Sequence, residues 1–319
     1  MRTGDRLAYE AIAEVPRLWK HPTMLPAGSN ARTPSQGRGP RLVIVAAVVV
    51  AQMVCGMWFH LSANAYVLLT FPVLIVFQLA IARRPLREVW VRSAPDWRRG
   101  RKAKIAAVTV AAILAIAPTW ITVASWMDGD VTGVAYGAVA IVGAVAAAYT
   151  FTSIRRAPGD SGGPSVRTTL SVGAKAAAIT VPIIAVIGLL ALVSGGGARS
   201  DASVLDFLGT AGASFAIYVP VVFVVEEVLF RGAFDSYVHR DPAAKGPMSA
   251  VLISALWGAW HLPVASSGSG LAALVPLVVF QVALGYPLTM AWRRGGSLAA
   301  PGVVHALLDA VRNGIAALG

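Results

Sequence analysis

Charge is what this chain has least of. Lys, Arg, Asp and Glu make up 13% of its 319 residues, where soluble domains carry about 25%. Hydrophobic residues make up 56%. That balance excludes an ordinary globular enzyme and calls for several membrane spans. Cysteine is reduced to Cys55, so an internal disulfide is excluded and the redox compartment stays open. Leu42–Val54, Ala65–Ala82, Ile105–Ile121 and Ala176–Val193 contain no ionised side chain at all. A helix needs about 20 such residues to cross the hydrocarbon core. The alternation of a barrel strand is missing, which leaves helices. Missing too are an H-E-x-x-H pair, a G-x-S-x-G elbow and a Walker loop; the glycines of 159–163 and 195–197 read as linkers. The first thirty residues lack the three-part pattern of a removable signal peptide, and none is expected.

What charge there is comes out at +12, with 27 basic against 15 acidic residues. Such an excess would suit a nucleic-acid binder. The basic residues are not spread over a surface, however, but gathered in short connections between apolar runs, as the positive-inside rule requires. Nucleic acid is therefore not an expected partner; the lipid bilayer is. Roughly nine apolar segments follow a polar arm: 42–59, 65–82, 104–126, 131–153, 172–193, 207–230, 247–262, 271–291 and 297–317. Counted from a basic N-terminus, each Lys/Arg-rich connection falls on one side. The expectation is an all-α polytopic transmembrane helix bundle of about eight to nine spans, with a cytoplasmic N-terminus. The Ala-, Gly- and Arg-rich composition suits a bacterial plasma membrane. The chain divides into a polar basic arm (1–40), N-terminal transmembrane helices (41–204) and a C-terminal transmembrane core (205–319).

The few ionisable residues inside the late segments carry the chemistry. Hydrocarbon charges about 2.5–3.5 kcal/mol for a carboxylate at its centre, so such groups require partners and mark a site. Three fragments hold them: Glu226-Glu227…Arg231, Trp257…His261 and His305…Asp309. Glu227 and Arg231 stand four apart with the acid first, the favourable order on a helix. Glu226 points about 100° away and is free to face a cavity as a general base or acid. Trp257 shares a face with His261, and Gly258 admits a close neighbouring helix. Asp309, one turn after His305, can accept its imidazole N–H. Gln52, Gln78 and Gln281 are expected to bond between helices. Two imidazoles and a glutamate can orient a water for attack on a carbonyl, or bind zinc. For Glu226 and His261 to meet, the sixth helix must continue past Arg231 to about Tyr237, and the seventh must stop short at Pro263 or turn back.

The ordered set E-E-x-x-x-R, aromatic-x-x-x-H, H-x-x-x-[N/D] resembles the CPBP family, the CAAX-protease and bacteriocin-processing intramembrane proteases related to type II CAAX prenyl endopeptidase. Gly232 and the lead-in Gly296-Ser297-Leu298-Ala299-Ala300-Pro301 are similar as well. The resemblance covers about residues 205–317. It implies peptide-bond hydrolysis within a helical bundle, on a membrane-associated peptide or protein. Glu226 would activate water, His261 would help hold it, His305 and Asp309 would face the oxyanion, and Arg231 would order Glu227. Trp257 stands where Phe is usual. Asp309 stands where Asn is frequent and has no amide N–H to donate, so a role in orienting His305 is expected of it. A metal-free glutamate mechanism is expected, with zinc on Glu226, His261 and His305 as the alternative. The competing functions are a non-catalytic membrane scaffold or bacteriocin-immunity protein with the same fold, and a proton-coupled transporter using the cluster as a relay.

Overall fold

A computed structural model describes residues 38–92, 101–154, 164–239, 246–265 and 270–319. Most of the polar arm, including His21, lies outside the described residues. Among the described residues eleven helices follow one another: α1 Arg38–Trp58, α2 Ala63–Val76, α3 Arg101–Leu114, α4 Ile116–Met127, α5 Val131–Thr152, α6 Val166–Ser194, α7 Val204–Val222, α8 Val228–Asp235 with its extension Ser236–Val238, α9 Pro247–Trp260, α10 Leu274–Gly295 and α11 Ala299–Ala316. An isolated bridge between Val91 and Ser297 is the only β-type pairing among the described residues.

The ends are set by local chemistry. Ser62 and Ser165 accept backbone N–H groups at the starts of α2 and α6, and Ser203 forms a reciprocal capping box with Asp206 at the start of α7. Gly296, at φ 68°, ends α10 in the left-handed conformation that glycine adopts without steric cost.

Among the described residues six helices are long and apolar enough to span, or seven if α3 and α4, bent 43° from each other, count as one crossing. With α9 and α11 the total approaches the expected eight to nine. Those two fall short for a reason. Helix α9 has 14 residues, about 21 Å. Helix α11 carries His305, Asp309 and Arg312 and is sheltered by α6 and α7 rather than by lipid. Helices that other helices cover need not be uniformly apolar. The outer helices show the converse, with Trp120, Val108 and Leu190 more than 60% exposed in an aqueous count, as lipid-facing side chains must be.

The connections between spans gather at two ends of the bundle. At one, Arg41 lies 6.0 Å over the Tyr237 ring, and Phe77, in the π-helical tail of α2, packs edge-on against Phe234 and Tyr237. Arg83, Arg87, Arg92, Arg293 and Arg294 belong to this basic end. At the other, Gly56 meets Tyr66 and Pro263, and the connections carry Asp128, Asp130 and Asp201. Small residues set the closest approaches. A Cβ on Gly143 of α5 would lie 2.1 Å from the Pro220 carbonyl oxygen of α7, and one on Gly258 would lie 2.8 Å from Val278 Cα of α10. Gln52 of α1 donates to Thr70 of α2 at 2.9 Å, as expected between helices, whereas Gln78 donates to the Pro85 carbonyl of its own following loop.

The sixth apolar segment does continue past Arg231 to Val238, but not as one α-helix. Pro220 lacks an N–H, and the ladder opens into a turn at Phe223–Val225. After Glu226 and Glu227 the chain resumes as the π-helical α8. Such π-helical turns frequently occur at functional sites.

Candidate functional site

The turn at Phe223–Val225 lies where α7 meets α11: a Cβ on Gly302 would touch the Phe223 ring at 2.8 Å. The Phe223 carbonyl, left over by the interrupted ladder, accepts the indole N–H of Trp90 at 2.6 Å. Directly after this anchored turn come the two glutamates, which diverge. Glu227 is fully buried and lies 3.0 Å from Arg231, itself fully buried. The same carboxylate oxygen is 2.8 Å from His305 Nδ1. The Arg231 guanidinium stacks 4.1 Å over the Trp257 ring, which replaces part of its lost hydration by cation–π attraction.

Glu226 turns the other way, into a cavity of about 290 Å³. Its Oε2 accepts the Trp257 indole N–H at 2.7 Å and lies 3.5 Å from His261 Nε2 and 4.0 Å from His305 Nε2. His261 Nδ1 is 2.8 Å from the Trp257 carbonyl oxygen. A carbonyl can only accept, so Nδ1 carries the proton and Nε2 presents a lone pair toward Glu226. Both imidazoles pack edge-on against Trp257, with centroids 5.4 and 5.2 Å away. The Gln281 amide nitrogen lies 3.4 Å from both His261 ring nitrogens, of which only Nε2 can accept from it.

All six residues singled out in the sequence therefore meet: Glu226, Glu227, Arg231, His261, His305 and Asp309. One relation differs from expectation. The carboxylate that holds His305 Nδ1 is Glu227, not Asp309. Asp309 lies 3.6 Å from the other nitrogen, Nε2, and is paired with Arg312 at 3.0 Å. Helical geometry explains the exchange: one turn along α11 brings Asp309 alongside Nε2 of the imidazole, while Glu227, just ahead of α8, reaches Nδ1 on its other side.

Other participants were not visible in the sequence. Tyr136, Tyr218 and Asn64 line the same cavity. Tyr66 donates to the Trp260 carbonyl at 2.9 Å and steadies the end of α9. One turn beyond Arg231, fully buried Asp235 binds Arg293 through contacts of 2.6 and 3.1 Å, and Arg92 at 3.3 Å. Arg293 also donates to Ser249 and the Gly246 carbonyl, which ties α8, α9 and α10 together. A lone acid within the apolar stretch 228–238 was the available signal.

Zinc has to be weighed against these donors. Among the described residues no group of three His, Cys, Asp or Glu side chains is disposed to hold a metal ion. The Glu226 oxygen nearest both imidazoles is already engaged by the Trp257 N–H. That bond leaves the carboxylate other lone pairs, so the weight against zinc rests on the arrangement of the donors, which is not that of a metal site.

Residues 209–311 match the family model described as type II CAAX prenyl endopeptidase Rce1-like, a stretch that contains all six site residues. No curated protein and no solved structure matches the chain.

Proposed function

On the premise that residues 209–311 form an Rce1-like domain of the CPBP proteases, we propose that this multi-pass membrane protein is an intramembrane endopeptidase, which hydrolyses a peptide bond of a membrane-associated substrate with water activated by Glu226 and His261. The observation that carries this reading is the Glu226 carboxylate at 3.5 Å from His261 Nε2 and 4.0 Å from His305 Nε2, on the wall of one cavity.

A water between Glu226 and His261 donates one proton to the Nε2 lone pair, in place of the long Gln281 contact, and offers the other to the carboxylate. Its oxygen lone pair is then directed at a carbonyl carbon. As the water oxygen bonds to that carbon, Glu226 takes the proton. The carbonyl oxygen becomes an oxyanion and faces His305 Nε2. Glu226 then returns the proton to the amide nitrogen, the C–N bond breaks, and a carboxylic acid and an amine leave, the acid passing its remaining proton to the amine. General acid–base help of this kind supplies about 10²–10⁴ in rate.

Glu227 and Arg231 act behind the imidazole. Glu227 accepts from His305 Nδ1 and fixes the ring so that Nε2 points into the cavity, and Arg231 holds Glu227. A cationic His305, donating at both nitrogens, balances the surrounding acids Glu226, Glu227 and Asp309 against Arg231 and Arg312.

The test is a comparison of membrane-protein termini in cells producing the full-length chain or its Glu226→Gln variant at equal level. New termini present with the wild type and lost with the variant are expected. Identical termini, with the variant folded, would refute the protease reading and favour the scaffold.

A further inference from the structure

The cavity is closed toward one end of the bundle and open toward the other. Its floor is Glu226, Trp257, His305 and Leu284. Beneath it, toward the basic end, lie Arg231, Phe230, Phe234, Leu288 and Trp292, all without solvent exposure, and then the Asp235–Arg92–Arg293 cluster. No described side chain of that layer lines the cavity.

In the opposite direction the wall climbs along α11, α9 and α2. On α11 it runs from His305 through Asp309 to Arg312, whose side chain is 53% exposed. On α9 it runs from Trp257 through His261 to Val264, beyond the helix end. On α2 it reaches Asn64 and Ala63, the exposed first residues of that helix. The mouth formed by Ala63, Asn64, Val264 and Arg312 lies at the end away from the basic residues.

Charge orients the bundle. Among the described residues, Arg199 and Arg312 are the basic side chains at the mouth end; apart from buried Arg231, the others gather at the closed end. Lys and Arg near span ends face the cytoplasm. We propose that the cavity opens on the non-cytoplasmic face of the membrane, and that its substrates are membrane polypeptides whose cleavable segment is presented from that face. This rests on the protease reading for the word substrate, but the sidedness does not.

The experiment is labelling of single cysteines in the full-length chain in a bacterial plasma membrane. Cys55→Ser gives the background; Asn64→Cys reports the mouth and Arg294→Cys the basic end. The probe is a charged, membrane-impermeant maleimide, applied to intact spheroplasts and again after permeabilisation. Asn64→Cys is expected to label as fully in intact spheroplasts as after permeabilisation, and Arg294→Cys only after it. The reverse pattern, or an Asn64→Cys that labels only once the membrane is opened or not at all in folded protein, overturns the proposal. Ala63→Cys serves in the same way if Asn64→Cys does not accumulate. Labelling reports sidedness whether or not the chain cuts anything. Its failure leaves the protease reading standing, and the failure of the Glu226→Gln comparison leaves the sidedness standing.

Discussion

His305 Nδ1 lies 2.8 Å from Glu227 Oε1, a contact between residues 78 positions apart that joins the residue ahead of α8 to α11. Glu227 reaches Arg231 with the same oxygen. The second glutamate of the pair thus orients an imidazole and neutralises an arginine, and only the first faces open space.

The two glutamates are therefore expected to fail differently. Glu226→Gln should lower kcat by about 10²–10⁴ while the melting temperature stays near that of the wild type, since Gln retains the oxygen that accepts from Trp257. Glu227→Gln leaves Arg231 buried without a counter-charge and should cost about 3–5 kcal/mol of stability. Thermal unfolding in detergent beside turnover of a substrate found by terminus mapping separates the two. Equal melting temperatures for both variants would contradict the division.

His305→Ala removes the donor facing the oxyanion and is expected to reduce kcat by about 10²–10³ with little change in KM. Asp309→Asn leaves the Glu227 contact intact and should act far more weakly. An Asp309→Asn loss as deep as that of His305→Ala would make Asp309, and not Glu227, the residue that orients the ring.

Trp90 holds the Phe223 carbonyl where the helix ladder is broken, ahead of Glu226. Trp90→Phe keeps the ring and removes the N–H, leaving a buried carbonyl unpaired at a cost of about 1–3 kcal/mol. Its melting temperature should fall, and turnover should fall with it because the anchored turn sets where Glu226 points. A variant with unchanged melting and turnover would show that the carbonyl finds another donor.

Gly143 faces the Pro220 carbonyl, and an added Cβ would lie 2.1 Å from that oxygen. Backbone on both sides leaves nothing flexible to give way. Gly143→Ala should destabilise the bundle by about 1–3 kcal/mol, measured as a lower melting temperature. Gly39→Ala meets nothing within 4 Å and is the matched control.

Prolonged exposure to a strong chelator should leave turnover intact, and metal analysis of the purified chain should return far less than one zinc per molecule. Stoichiometric zinc lost together with activity would revive the metal alternative.

The sequence by itself determined the helical architecture and the ionisable groups that gather in one cavity wall. Long charge-free runs without strand alternation leave a chain in lipid no choice but helix, and ionised residues in such runs need partners, which singles out Glu226, Glu227, Arg231, His261, His305 and Asp309. The need for Glu226 to meet His261 even foretold a helix running on toward Tyr237. Tertiary structure decided which group serves which. The packing of α7, with the turn that follows it, against α11 gives His305 to Glu227 and leaves Asp309 to Arg312. The Asp235–Arg92–Arg293 cluster and the direction in which the cavity opens were settled in the same way. Spacing along one helix fixes which side chains share a face, but pairing across helices depends on their relative rotation and depth, and no single segment encodes either.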